Sequence, residues 1–428
     1  MVEMLRRIRD LIRKSPTAKH VSTLLSGTVI AQLLALITAP LISRLYSPTE
    51  IGVYTLFTSV VATVVAVAGL RYDLGIVLPK SHGNARLLRN TVTVIIFVVS
   101  ICVTLFMIPF AGALANWLGN PELAPWLIYS GLAVFTLSQV NSFNYWFTRT
   151  LQYRVISINR VQMSGSIAIS QIVFSLCHLG GVAGLVIGHI LGQSLAAGTL
   201  MWKGRKQVEG ETAPSLTRLQ LLKRYKKMPL INGPNALVDA IRLNGIMMMI
   251  GALFSTDAVG QFGQAWRLMQ APVSLITGAI SQVFYQKFAA TEKGNMTALV
   301  KTSVKLSLIA GFVPFAVIAI IAPWLFPWFL GSQWNESGLI GQALVPWLYL
   351  NVATSPISTV FLTIDRQQVL FAFAVTYMAV GLGAVYIGTL LGWSLIATTW
   401  LLSICMAVCL ALMIALAFWS AKKYDAEM

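Results

Sequence analysis

Asn235, Asp239 and Arg242 follow one another at spacings of four and three residues, which stacks an amide, a carboxylate and a guanidinium on one face of a helix. Downstream, Gln264, Arg267, Gln270, Ser274 and Ser281 recur at similar spacing through an otherwise apolar stretch, GQAWRLMQAPVSLITGAISQVF. Guanidiniums bind phosphate oxygens through paired, charge-assisted hydrogen bonds, and amides suit sugar hydroxyls. One carboxylate cannot neutralise two arginines, so the surplus is positive and the stripe is expected to line a hydrated cavity. The competing account has Asp239 paired with Arg242 or Arg267 only to fix helix packing. Arg44 adds a further cation, either a phosphate contact or an anchor snorkelling beside Tyr46.

The elements that position these residues are membrane spans. Of 428 residues, 57% are hydrophobic and only 11% are charged, and the mean hydropathy of +0.74 lies far outside the soluble range. Apolar runs of about 20 residues, long enough to cross the hydrocarbon core as helix, recur along nearly the whole chain. Twelve spans are expected, near residues 24–43, 51–70, 91–110, 123–147, 158–177, 182–202, 231–254, 259–285, 304–329, 339–363, 369–391 and 394–419. The first apolar stretch is long and no small-x-small site follows it, so it is expected as a retained span and not a cleaved signal.

The net charge of +17 is distributed on alternate loops. Cations precede the first span, follow the second (Arg71, Lys80, Arg86, Arg89) and crowd the loop after the sixth, from Lys203 to Lys227. This bias puts both termini in the cytoplasm, and solvated loops account for the charge without nucleic acid as a partner. Residues 1–20 carry apolar positions on one face and arginines opposite, the pattern of an amphipathic cytoplasmic segment at the membrane surface.

The stretches LYSPTEIGVY at Leu45 and LFSTDAVGQF at Leu253 align without gaps at a shift of 208 (253 minus 45), pairing Gly52 with Gly260. The chain therefore reads as six spans, duplicated: a first lobe over 21–202, a cytoplasmic linker over 203–229, a second lobe over 230–420 and a tail over 421–428. Within the linker, LTRLQLLKRYKKM is expected to form an interfacial helix. Parallel repeats of this kind place a substrate path where the halves meet.

Other intramembrane polar residues have competing explanations. The fourth span ends in SQVNSFNYWFTRTLQY and the fifth holds Arg160, Gln162 and Gln171; these suit sugar and phosphate, and amides also glue helices together. Arg71 and Asp73 in GLRYDLGIVLP read as a local ion pair at the membrane surface. Cys102, Cys177, Cys405 and Cys409 lie in or at the ends of apolar spans and read as small hydrophobes. There is no HExxH, GxSxG or Walker loop and no paired carboxylates, so neither an enzyme, a metal site nor a cofactor is expected.

PLISRLYSPTEIGVYTLF, GLRYDLGIVLPKS and ALFSTDAVGQF resemble the polysaccharide transporter branch of the multidrug/oligosaccharidyl-lipid/polysaccharide exporter superfamily, the O-antigen flippases. The similarity covers nearly the whole chain. It implies an all-α membrane protein with a V-shaped, two-lobed bundle in the bacterial inner membrane. Its implied activity is moving an undecaprenyl-diphosphate-linked oligosaccharide from the cytoplasmic to the periplasmic leaflet by alternating access. In that reading Arg242 and Arg267, with Arg44, contact the diphosphate; Gln264, Gln270 and Asn235 contact the substrate. Asp239 tunes the arginines or binds a coupling cation, H+ or Na+. Membrane lipids and glycan polymerase or other assembly proteins are the further candidate partners. The alternatives are a cation-coupled multidrug exporter of the same superfamily, which favours an acidic cavity, and a membrane-embedded glycan polymerase or ligase, which needs a large outward loop.

Overall fold

The computed structural model describes residues 16–206, 213–291, 294–364 and 367–426, and no strand occurs among them. The first half contains α1 (Pro16–Leu45), α2 (Pro48–Ala68), α3 (His82–Trp117), α4 (Ala124–Leu127), α5 (Ser130–Arg149), α6 (Tyr153–Leu176) and α7 (Gly181–Lys206). A short α8 (Arg218–Arg224) leads to α9 (Gly233–Leu253), α10 (Thr256–Ala290), α11 (Met296–Leu330), α12 (Asn335–Ala343), α13 (Val345–Ile357), α14 (Val360–Thr363), α15 (Gln367–Leu390) and α16 (Leu395–Ala426). Most of the segment expected to be amphipathic over 1–20 lies outside the described residues.

The fold is an all-α membrane protein. In each half the fourth span is broken. Pro121–Leu127 and Ser130–Arg149 meet at a 58° bend, and α12, α13 and α14 share the corresponding place in the second half. Among the described residues eight helices are long and apolar enough to cross a membrane, or nine with the bent pair counted as one span. Of the remaining rods, α6 and α10 fall short because polar side chains interrupt them, including Arg160, Gln162, Gln264 and Arg267, and α12, α13 and α14 because breaks leave them 9, 13 and 4 residues long. Helices also outrun their apolar runs. α3 covers 36 residues, because polar residues at a span's end keep the backbone ladder after the hydrocarbon run stops.

Backbone proximity divides the chain into two compact units. The first unit holds residues up to Tyr46, Phe57–Asn116 and Pro121–Leu237; the second holds Ser47–Leu56, Trp117–Asn120 and the chain from Val238 onward. In the first unit Leu88, Val92, Phe143, Trp146 and Phe147 form a core with Leu221.

Arg89, expected as a loop cation, lies instead inside α3 and is 5% exposed. Its guanidinium sits 4.4 Å from the Trp146 ring centroid and 5.3 Å from that of Phe143. It donates to the Gly204 carbonyl at 3.3 Å and to Asn90 Oδ1 at 3.0 Å. Aromatic faces and a helix-terminal carbonyl thus replace the lost water. Arg89→Ala should destabilise the protein by on the order of 2–4 kcal/mol, the loss of a desolvated cation–π contact and charged hydrogen bonds. A thermal unfolding series in detergent measures this, and an unchanged midpoint would contradict it.

Between α2 and α3 the chain turns through Leu70 (φ 46°) and Arg71 (φ 57°), a left-handed pair that L side chains rarely adopt. The turn tucks Asp73 inward. Burial pushes its carboxyl above the ordinary range, while Arg71 and the N–H groups of Asp73 and Leu74 act against that shift. An acid whose folded pKa is raised destabilises the fold as pH rises above the unfolded value, here 3.8. Asp73→Asn should therefore raise the unfolding midpoint at neutral pH, with the gain shrinking as pH falls toward 3.8. Equal midpoints at neutral pH would refute this.

In the second unit the start of α2 crosses the start of α10 at glycines. A Cβ on Gly52 would lie 1.9 Å from the Thr256 carbonyl oxygen, and one on Gly260 would lie 1.9 Å from the Pro48 carbonyl oxygen. Pro48 and Gly52 map onto Thr256 and Gly260 by the same shift of 208 (256 minus 48), so the contact is reciprocal and follows the sequence repeat. Nearby, Asn120 Nδ2 donates to Thr256 Oγ1 at 2.6 Å. A second core, built on Phe284, Phe288, Val300, Phe361 and Ala417, packs α10, α11, α14 and α16 together in this unit.

Candidate functional site

Within the second unit, α9, α10 and α13 meet at a narrow cleft whose walls leave no room for a water molecule between them. α9 contributes Arg242, Ile246 and Met247; α10 contributes Phe262 and Trp266; α13 contributes Trp347. Phe262 and Trp266 share a helix face because they are four residues apart, and their rings stack at 6.4 Å with planes 10° apart. The Trp266 and Trp347 centroids are 4.8 Å apart.

Trp347 is fixed from behind. Its Nε1 donates to the Tyr377 hydroxyl, and its backbone N–H donates to Ser403 Oγ at 3.2 Å. The Tyr377 ring in turn lies 5.3 Å beneath the Arg242 guanidinium. Arg242 Nη2 donates to Asp239 Oδ1 at 3.4 Å, and the two side chains are 21% and 58% exposed. The guanidinium is therefore held on one side by a π face and on another by a largely solvated carboxylate, with the crevice before it. A contact to so exposed an acid is weak and screened, so the cation keeps donors for another anion. Of the three rings beside it, Phe262 and Trp347 are packed away at 1% and 3% exposure and Trp266 is half-buried, so of these only Trp266 offers a sugar ring an apolar surface.

Of the candidate site residues, the structure brings Arg242 and Asp239 into contact. Asn235 is exposed on α9, one helical turn before Asp239. Arg44 is exposed near the end of α1, in the first unit. Gln264 is 2% exposed inside the packing. Arg267 is exposed and Gln270 half-buried, and neither lines the crevice. The α10 stripe keeps to one side of the helix but varies in depth: at about 100° per residue Gln264 and Arg267 point roughly 60° apart, the one buried and the other exposed. Among the described residues no carboxylate lies within ion-pair distance of Arg267.

Helical spacing of polar residues does not reveal Trp266, Trp347 or Tyr377. The Phe262–Trp266 spacing is a usable signal, since it places two rings on one face of α10. Nothing in the sequence brings Trp347 or Tyr377 to them. Among the described residues no group of three His, Cys, Asp or Glu side chains comes together to hold a metal.

A family model described as "Polysaccharide biosynthesis protein" matches residues 22–338. No curated protein sequence matches the chain. Among solved structures, "Lipid II flippase MurJ, inward closed conformation" aligns with a TM-score of 0.77 at 13% identity, covering 94% of this chain and 90% of that one. An inward-facing multidrug resistance MATE family transporter of the MOP superfamily aligns with a TM-score of 0.74 at 16% identity, covering 95% and 98%. A MOP superfamily transporter from Pyrococcus furiosus, described by the words "Reverse polarity of binding pocket suggests different function", aligns with a TM-score of 0.62 at 15% identity, covering 95% and 94%. At these identities the likeness establishes the fold.

Proposed function

This chain belongs to the polysaccharide biosynthesis protein family, and from that premise we propose that it flips a polyprenyl diphosphate-linked oligosaccharide across the bacterial inner membrane. The lipid carrier is undecaprenyl, the direction is cytoplasmic to periplasmic leaflet, and the cycle is alternating access. The product feeds assembly of O-antigen, capsule or exopolysaccharide. The protein acts as a transporter and performs no chemistry on the glycan.

The observation that carries this reading is the Arg242 guanidinium, backed by Tyr377 and set at the mouth of a crevice walled by Trp266 and Trp347. A lipid diphosphate is anionic, and a fixed guanidinium offsets the cost of bringing its oxygens into low dielectric. The half-buried Trp266 beside the cation suits the first sugar of the glycan once the cleft opens, while the polyprenyl tail stays in lipid. Arg267 and Arg44 serve as further phosphate contacts, with Gln270 and Asn235 as polar partners along the path and Gln264, buried in this state, joining them only when the helices part. Asp239 tunes Arg242 or takes a coupling cation. A cationic drug would meet a repelling charge at Arg242, which argues against the multidrug alternative.

Purified protein in vesicles, supplied with a fluorescent polyprenyl diphosphate oligosaccharide, tests the proposal. Leaflet exchange should run well above that of protein-free vesicles. Exchange no faster than the blank, with folded protein in the bilayer, would reject the function.

A further inference from the structure

The linker preceding α9 is built into the first unit, and its outward side is fixed as a consequence. Thr217 and Gln220 close a reciprocal capping box at the start of α8. Asn84 on α3 donates from Nδ2 to Ser215 Oγ at 2.8 Å and accepts the Ser215 and Leu216 N–H groups at 3.0 and 3.1 Å. Tyr72 donates to the Leu222 carbonyl at 3.2 Å, and Leu221, 1% exposed, joins the core around Leu88 and Trp146.

With those contacts made, Arg218, Lys223, Arg224, Lys226 and Lys227 are all exposed. Leu219, Leu230 and Ile231 stand among them, exposed by 61%, 69% and 56%. No acidic residue occurs from Ala213 to Val238. A soluble polyanion would meet these cations but would leave the leucines and isoleucine in water; a lipid headgroup layer satisfies both, with phosphates for the cations and glycerol and acyl carbons for the apolar side chains. The flanking elements favour the same depth. α7 ends with Trp202 exposed and Lys206 Nζ 3.7 Å from its ring centroid, an interfacial anchor, and the apolar helix that follows the linker starts at Met228.

We propose that residues 213–231 form a docking surface for anionic phospholipid headgroups, held in a preset orientation by Asn84, Tyr72 and Leu221. The proposal needs only that the chain sits in a bilayer, so it and the transport reading can fail independently.

The test places an environment-sensitive fluorophore on Leu219→Cys, on the exposed side of α8, in full-length protein whose four native cysteines are replaced by serine. The protein is reconstituted in phosphatidylcholine vesicles with or without phosphatidylglycerol, each containing a lipid-borne quencher. Phosphatidylglycerol should raise quenching about fivefold, and about 1 M salt, where the screening length is about 3 Å, should reverse the gain. Changing Lys223, Arg224, Lys226 and Lys227 together to Gln should remove the phosphatidylglycerol dependence while leaving the folded yield unchanged. Equal quenching in the two lipids, or a lipid dependence that survives the fourfold change, would overturn the proposal. So would a response to soluble polyglutamate or a short oligonucleotide in phosphatidylcholine vesicles with none to phosphatidylglycerol.

Discussion

Arg242→Ala should slow leaflet exchange of the diphosphate-linked oligosaccharide by about 10- to 100-fold, because charged hydrogen bonds are worth roughly 1.5–3 kcal/mol and each 1.36 kcal/mol is a factor of ten. The fold should tolerate the change. Asp239, left behind, is 58% exposed and stays solvated, and an ion pair of that kind contributes about 0–1 kcal/mol. Tyr377 keeps its hydrogen bond from Trp347 when the cation is gone. Arg242→Lys should recover part of the rate, since ammonium restores charge but not the planar fork. Asp239→Asn separates the roles: if Asp239 only tunes Arg242, exchange persists, and if it takes the coupling cation, dependence on the ion gradient is lost. Initial rates in vesicles, normalised to folded protein, decide the matter. A wild-type rate for Arg242→Ala would remove the crevice from the transport path.

The other large effect is expected far from any charge. Gly52→Ala and Gly260→Ala each introduce a methyl group 1.9 Å from a carbonyl oxygen of the facing helix. A carbon and an oxygen need more than about 3 Å, and the obstructing atom is backbone, so α2 and α10 must move apart. Overpacking of this sort costs about 1–3 kcal/mol where side chains can shift, and more where they cannot. The loss should therefore exceed about 3 kcal/mol and be similar at the two sites, because the contact is reciprocal. The double variant should fall short of the sum of the single ones, since one separation relieves both clashes. Gly112→Ala is the control. It lies inside α3, and a Cβ added there would meet nothing within 4 Å, so alanine should be neutral or stabilising by up to about 1 kcal/mol. Thermal unfolding in detergent distinguishes the three. Midpoints for Gly52→Ala and Gly260→Ala matching that of Gly112→Ala would contradict the crossing.

The same crossing shows how far the amino-acid order reaches. Lengths of apolar runs are enough to locate the spans, though not the ends of helices such as α3 and α16 that run past them, because an unpaired backbone group in hydrocarbon forces helix wherever the run is long. Alignment of LYSPTEIGVY with LFSTDAVGQF foretells a duplicated architecture, and Gly52 and Gly260 stand at equivalent positions in it. That these glycines touch the carbonyls of each other's helix is a property of packing. Local patterns carry no information about which distant helix lies opposite.

For the site the division is sharper. Spacing alone puts Asp239 and Arg242 on one helical face, since residues three apart are neighbours on any α-helix. It also groups Gln264 with Arg267, which the structure separates into a buried amide and an exposed guanidinium. Arg89 reads as one more loop cation until Trp146, Phe143 and Gly204 enclose it. Composition, apolar run length and helical phase thus determined a multi-spanning, duplicated, cation-bearing chain. Tertiary structure alone decided which cations meet aromatic walls, because Trp347 and Tyr377 reach Arg242 from helices about 100 residues or more away in sequence, and only close packing of side chains selects such neighbours.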